Sequence, residues 1–274
     1  MTHPSHSHDK VAKLAEMLWQ AEVACTPVAP ITDTHLDVTL SDAYAIQQYN
    51  IERRISTGDR IVGPKIGLTA KAMQVLFGVD EPDYGHLLQS MIHPENEPLD
   101  LSKFIDPQIE VEPAFVLKKD LKGPDVDIEA VLDATEYVTV CFEIIDSRIT
   151  DWRIKLQDTV ADNGSSALVV LGKARVPARD IKLDTLETTL EIDGETVETG
   201  TTEAILGHPA NGVAWLANKI SEFGVGLSAG DIVLPGTCTK SRRMAGAREA
   251  VSRIAGLDEV RLAMKGEPTV HNQR

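Results

Sequence analysis

Apolar residues recur at two different spacings along this chain, and the change of spacing divides it. Over residues 9–24, Val11, Leu14, Leu18 and Ala21 repeat at helical intervals, which predicts an amphipathic helix. A second helix is predicted over 42–57, with Ser41 as N-cap, Gly58 as the stop, and Tyr44, Ile51 and Ile55 as the buried stripe. After Gly63 the helical period gives way to short β-like runs separated by Gly, Pro and Asp. These cover 108–118, 137–146, 167–171, 187–192, 196–199, 231–234 and 258–264. Asp193-Gly194, between two such runs, predicts a tight hairpin. One clear helix interrupts the β-rich part: Pro209 is in its first turn, Gly224 lies past its end, and Val213, Leu216, Ile220 and Phe223 form its apolar stripe. A short helix over 128–134 and a helix or turn over 70–77 complete the reading. The pattern predicts an α+β protein, with an N-terminal helical portion (1–62) followed by a mixed, strand-rich domain (63–274).

Two of the apolar runs are broken by carboxylates. Glu110 and Glu112 stand two residues apart in Ile109-Glu-Val-Glu-Pro-Ala-Phe-Val-Leu117, and Glu143 is alone in Val138-Thr-Val-Cys-Phe-Glu-Ile-Ile145. In a strand, residues i and i+2 share a face, so Glu110 and Glu112 project together while Val111 and Phe115 line the other side. A bare carboxylate pair in a half-buried strand is costly, because like charges repel and burial disfavours the charged form. A divalent cation removes both costs, and three glutamate oxygens suit a hard ion such as Mg²⁺ or Mn²⁺. The plainer reading is a strand with one wet face and solvated glutamates. On the residues alone both readings stand.

Bulk properties narrow the partners. A chain of 274 residues can bury a sizeable core. Its formal charge of −15 offers no basic surface to nucleic acid or to an anionic membrane. A small acidic substrate is not excluded, since a local cation can hold it. No apolar run is long enough to span a bilayer, and MTHPSHSHDK lacks the apolar centre of a signal peptide. Cys25, Cys141 and Cys238 are scattered and odd in number, which predicts free thiols and a cytoplasmic location. His3, His6 and His8 read as a tail that binds metal at most adventitiously.

Further polar clusters are candidates for chemistry. Lys65, in Gly63-Pro-Lys-Ile-Gly-Leu-Thr69, is either a loop lysine or a cation placed to stabilise a developing enolate. Asp83, in Pro82-Asp-Tyr-Gly-His86, is either a structural turn residue or a proton-transfer group. The polar stretch 151–166 is either an ordered surface loop or a wall of a site. His208 reads as a helix N-terminal residue. No phosphate-cradling loop, nucleophile elbow or zinc pattern is present.

In this order and spacing, GPKIGLT (63–69), EPDYGHL (81–87), IEVE (109–112), FEIIDSR (142–148), DTVADNGSS (158–166) and GHPANGVAWLA (207–217) resemble the 2-keto-4-pentenoate hydratases. These belong to the fumarylacetoacetate hydrolase superfamily and include the 2-hydroxypenta-2,4-dienoate hydratases. The resemblance runs from about residue 10 to residue 264. It implies a β-roll-like mixed domain preceded by helices, and Mg²⁺ or Mn²⁺ held by Glu110, Glu112 and Glu143. It also implies catalytic roles for Lys65 and Asp83, with Lys155, Asp158 and Ser165 on the pocket wall. The implied reaction adds water to a 2-hydroxy-2,4-dienoate from aromatic meta-cleavage, giving a 4-hydroxy-2-oxo acid. A homo-oligomer is implied, with a pathway decarboxylase or aldolase as a further partner. The chain departs from the family where Gly236-Thr-Cys-Thr239 replaces a G-S-x-T-like segment, in the stretch 240–248 after it, and at Gly164, where Ala is common.

Two rivals remain. A 4-oxalocrotonate-type decarboxylase would use the same metal site and expel CO₂; Arg148-Ile-Thr-Asp-Trp152 is more hydratase-like. A non-catalytic subunit of a hydratase–decarboxylase complex need not keep three glutamates. A carbon–carbon hydrolase needs a water-activating base such as a His–Glu pair, and no histidine here stands in a matching motif.

Overall fold

Three helices open the chain: α1 (His8–Val23), the short α2 (Ile31–Thr34) and α3 (Leu40–Ser56). The computed structural model describes residues 8–69, 74–75, 79 and 81–270. His3 and His6, and most of the helix or turn expected over 70–77, lie outside them. The N-cap of α3 is Thr39 rather than Ser41. Its hydroxyl accepts the Asp42 amide while the Asp42 carboxylate accepts the Thr39 amide, a reciprocal capping box. The start therefore shifts, and the buried stripe runs through Ala43, Ile46, Gln47 and Ile51, leaving Ile55 exposed.

A two-stranded antiparallel ribbon follows, β1 (Ile61–Gly67) with β2 (Asp83–Leu88). The Gly- and Pro-rich composition reads as a loop around Lys65 and a turn around Asp83; both segments are strands. The expected strands are present as β4 (Gln108–Leu117), β5 (Thr135–Ile145), β6 (Ser166–Leu171), β7 (Glu187–Ile192), β8 (Glu195–Thr201), β9 (Ile232–Val233) and β12 (Glu259–Lys265). Three more join them: β3 (Leu99–Asp100), β10 (Arg242–Arg243) and β11 (Glu249–Ile254). One sheet runs β10-β4-β5-β6, with β9 also paired to β4; the second runs β3-β12-β11-β7-β8. Asp193 and Gly194 both have positive φ at the β7–β8 turn, the geometry of a two-residue hairpin.

The short helix α4 (Ile128–Ala134) and the helix α6 (Pro209–Ser221) pack on the main core. Pro209 opens α6, and the His208 ring caps it by accepting the Ala210 amide at 3.1 Å. Val213, Leu216 and Ile220 are buried as expected, but Phe223 lies past the helix end and is 68% exposed.

Alternation along β4 and β5 positions the site. Ile109, Val111, Phe115 and Leu117 of β4, with Val138, Val140, Phe142 and Ile144 of β5, face the main core. The opposite faces carry Ala114 and Cys141, which pack with Val62 and Leu87 of the ribbon and with Leu234. The ribbon thus lies over the glutamate face of the sheet. It is tied there through β9: Ile66 N–H donates to Leu234 O at 2.8 Å, and Leu234 N–H to Pro64 O at 3.1 Å. The N-terminal helices form a separate core with Ile149, Val160 and Ala161, so they buttress the 149–161 segment. Among the described residues, no helix is long and apolar enough to cross a membrane.

Candidate active site

Between ribbon and sheet lies a cavity of about 770 Å³. Glu110 sits directly opposite Glu143 in the β4–β5 register, and Glu112 opposite Cys141. Pairing thus brings the lone glutamate of one run beside the pair on the other. One oxygen from each of Glu110, Glu112 and Glu143 lies within 4.8 Å of the others. Glu110 and Glu112 line the cavity, whereas Glu143 is completely buried at its base. The Glu112 carboxylate accepts the Gly236 amide at 2.8 Å. That approach needs glycine, since Gly236 has φ +121° and a Cβ there would lie 2.2 Å from Thr69 Oγ1.

Among the described residues, neither Glu143 oxygen has a hydrogen-bond partner. Its nearest cation is Lys65, whose Nζ lies 3.3 Å from Oε1 and donates to the Gly164 carbonyl at 3.1 Å. Asp83 is also buried and lines the cavity, at the end of β2 opposite Gly67. Among the described residues, one ammonium therefore faces four carboxylates. Burial, then mutual repulsion, pushes Glu110 up to about 7 and Glu112 well above the ordinary range. Burial raises Glu143 and Asp83 against the pull of Lys65. For Lys65, burial works against the charge, but the surrounding carboxylates win and hold it protonated. All-oxygen donors, excess negative charge and unpartnered buried oxygens fit a hard divalent cation at this triad.

A pH dependence follows. The three glutamates titrate above 4.5 in the metal-free fold, so their favourable protonated form is fully present below that value and is lost as pH rises, through about 7 for Glu110. A cation needs the deprotonated oxygens. The rise in melting temperature on adding Mg²⁺ is therefore expected to be small at pH 5.5 and large at pH 8. A pH-independent rise would place the ion elsewhere.

The 151–166 stretch closes one side. Trp152, Ile154, Lys155, Leu156, Gly164 and Ser165 border the cavity, and so do Gly236, Thr237 and Ser241 of the divergent segment. Lys155 is exposed at the rim, and Ser165 is buried with its hydroxyl on Asp162 at 3.3 Å. Asp158 corrects the expectation: it is not on the cavity wall. At the third position of α5 (Leu156–Ala161) its carboxylate accepts the Lys155 amide, and it also accepts the Thr32 amide and hydroxyl, so it caps the helix and ties it to α2. Several wall residues are backbone-strained: Leu68, Trp152 and Ser165 have φ of 54–56°, each costing about 1–3 kcal/mol.

Sequence reasoning missed what anchors this wall. Buried Arg148 forms an ion pair with Asp162 and donates to the carbonyls of Asp146 and Asp162 at 2.7 and 2.6 Å. Burial still lifts Asp162 to about 6, against the pull of Arg148. Arg148→Met leaves that carboxylate uncompensated and is expected to cost about 3–5 kcal/mol of stability, read by urea unfolding. A loss below about 1 kcal/mol, the scale of a surface pair, would show that the wall stands without it.

Fold and site define a class. The chain belongs to the fumarylacetoacetate hydrolase family, whose C-terminal domain pattern matches residues 76–273. Within it, the chain is a member of the 2-keto-4-pentenoate hydratase branch. It is 46% identical to the 2-hydroxypent-2,4-dienoate hydratase of Pseudomonas putida over 78% of this chain and 97% of that one. It is 42% identical to the 2-keto-4-pentenoate hydratase of Burkholderia vietnamiensis, over 92% and 97%. Among solved structures, 4-oxalocrotonate decarboxylase from Pseudomonas putida G7, complexed with magnesium and adipate, superposes with a TM-score of 0.91 at 34% identity. That match covers 96% of this chain and all of that one.

Proposed function

We propose that this protein is a divalent-metal-dependent hydratase that adds water to 2-hydroxypenta-2,4-dienoate, or a close 2-hydroxy-2,4-dienoate, to give a 4-hydroxy-2-oxo acid. The observation that carries the metal-dependent chemistry is the triad Glu110, Glu112 and Glu143, with both Glu143 oxygens unpartnered and, among the described residues, one lysine beside it, in a cavity of substrate size. The sequence relatives support the choice of water addition. The triad would hold Mg²⁺ or Mn²⁺, which supplies Lewis-acid polarisation of the substrate's carboxylate and 2-oxygen.

The chain's own groups account for the rest. Lys65 has three N–H donors; the Gly164 carbonyl accepts one and the Glu143 carboxylate lies 3.3 Å away as an ion pair, so donor capacity remains for an oxygen that becomes negative in the cavity. Asp83 is buried, and its raised carboxyl can hold a proton nearer neutrality than an exposed aspartate. We assign to it proton transfer at C5, or orientation of the water that attacks C4. The apolar wall of Ile66, Leu68, Trp152, Ile154 and Leu156 limits bulk water around the dienol. Lys155 and Ser165 would contact substrate from the rim and wall; Asp158 would act only by fixing α5.

The test is hydration of freshly generated 2-hydroxypenta-2,4-dienoate with Mg²⁺ or Mn²⁺, followed by loss of dienol absorbance and by product mass. A gain of one water supports the reading. The likeness to 4-oxalocrotonate decarboxylase makes a second arm necessary: CO₂ release from 4-oxalocrotonate with no hydration would move the assignment to decarboxylase. The same reading places the protein in the cytoplasm as a homo-oligomer, with a pathway decarboxylase or aldolase as partner, and sedimentation with and without that partner tests it.

A further inference from the structure

We infer that Asn163 is a positioning residue, whose side chain fastens the turn that holds Lys65 to the strand that carries Asp83. The inference rests on the hydratase reading for its kinetic consequence and on geometry for its structural one. Asn163, Gly164 and Ser165 have φ of 57°, 62° and 54°, three consecutive left-handed residues. Such a run does not form without outside ties. At its base, Asp162 is held by Arg148. At its tip, the Gly164 carbonyl accepts the Lys65 ammonium at 3.1 Å. Between the two, the Asn163 amide pairs twice with the backbone of His86: Oδ1 accepts His86 N–H at 2.8 Å, and Nδ2 donates to His86 O at 2.9 Å.

This two-point pairing stands in for a neighbouring strand. His86 lies three residues after Asp83 in β2, opposite Pro64 in β1, next to Lys65. The Pro64 carbonyl faces Leu234, away from β2, and the His86 peptide faces the other way; this outer edge of β2 is satisfied by Asn163. The approach is close: a Cβ on Gly85 would lie 2.6 Å from Asn163 O, and one on Gly164 3.2 Å from Lys65 Nζ. Asn163 itself is not on the cavity wall. It therefore acts through Lys65 and Asp83, by fixing the turn that holds one against the strand that carries the other. A primary amide is suited to this, since it offers one donor and one acceptor to a peptide group and tolerates left-handed backbone.

Asn163→Asp keeps the size and the backbone preference but loses the donor. Gly85→Ala keeps the amide and pushes the turn away from outside, so the inference survives a folding failure of either variant. With full-length enzyme and Mg²⁺, each is expected to lower kcat about 100-fold, the scale of an ångström-level misplacement. KM and Mg²⁺ affinity should stay within about threefold, because the pairing touches neither substrate nor triad. Amide exchange across 83–88 should accelerate, and the Lys65 amine should label faster with an acylating reagent in the substrate-free protein. Unchanged kcat alongside faster exchange would overturn the inference. So would parallel losses of kcat, metal affinity and melting temperature, which mark general loosening. If wild type does not hydrate the dienol, the hydratase reading fails separately, and the Lys65 labelling rate alone decides: faster labelling sustains the positioning role and an unchanged rate ends it.

Discussion

Metal-free Glu143→Gln protein will melt above metal-free wild type, will no longer gain stability from Mg²⁺, and will lose nearly all turnover. The first effect comes from charge. Among the described residues, four carboxylates surround one ammonium, and Glu143 is the most buried, with neither oxygen hydrogen-bonded. Three carboxylates remain to hold Lys65, so replacing the fourth with a neutral amide relieves charge repulsion and desolvation, and each gain of about 1 kcal/mol raises the melting temperature by roughly 2–4 °C. The second and third effects come from the triad. Glutamine offers a neutral oxygen where a cation needs charge, and losing Lewis-acid assistance worth several kcal/mol means a fall of about 10³-fold or more. Differential scanning calorimetry with and without Mg²⁺, beside the hydration assay, reads all three. A variant that still gains the wild-type Mg²⁺ shift would remove Glu143 from the metal site.

Lys65→Ala reverses the first sign. Lys65 is the one cation among the four carboxylates in the described residues; removing it leaves them uncompensated, and breaking a buried pair from one side costs about 3–5 kcal/mol. Metal-free Lys65→Ala should therefore melt well below wild type, and Mg²⁺ should restore more of its stability than it adds to wild type. Turnover should fall about 10²–10⁴-fold, the range for a positioned proton-transfer or oxyanion group. Metal affinity should hold or rise, since the triad loses a competing positive charge. Turnover near wild type would take Lys65 out of the mechanism. The two variants thus share a loss of activity and differ in what happens to the empty fold.

The triad was legible in the sequence because a carboxylate in an apolar run is conspicuous. Period-2 geometry put Glu110 and Glu112 on one face, and the structure brings Glu143 to that face. Helix α6 was legible from Pro209 and its stripe, although Phe223 falls beyond the last turn. The ribbon was not. Gly63-Pro-Lys and Pro82-Asp-Tyr-Gly carry turn composition, yet the glycines are there because backbone passes too close for a side chain: a Cβ on Gly63 would lie 1.9 Å from Ile232 O. Tertiary proximity had overridden local propensity. The cap of α3 was misplaced by two residues although Thr39-x-x-Asp42 carried the capping-box signal. Asp158 was drawn toward the pocket by its polar surroundings, and only the fold shows Thr32 meeting it from another helix. Gly164 could not have been read as a lysine anchor, because the group that binds is its carbonyl, which every residue has.

The triad comes entirely from two adjacent antiparallel strands, whereas Lys65 and Asp83 come entirely from the ribbon laid across them. On the proposed roles, ion capture and proton handling would occupy separate, exchangeable parts. A redesign that kept β4 and β5 and altered only the residues facing them from β1 and β2 would keep the proposed ion site and change the groups that act beside it. The shortest route to new chemistry on this scaffold leaves the glutamates untouched and varies the strip of fewer than a dozen residues that looks down on them.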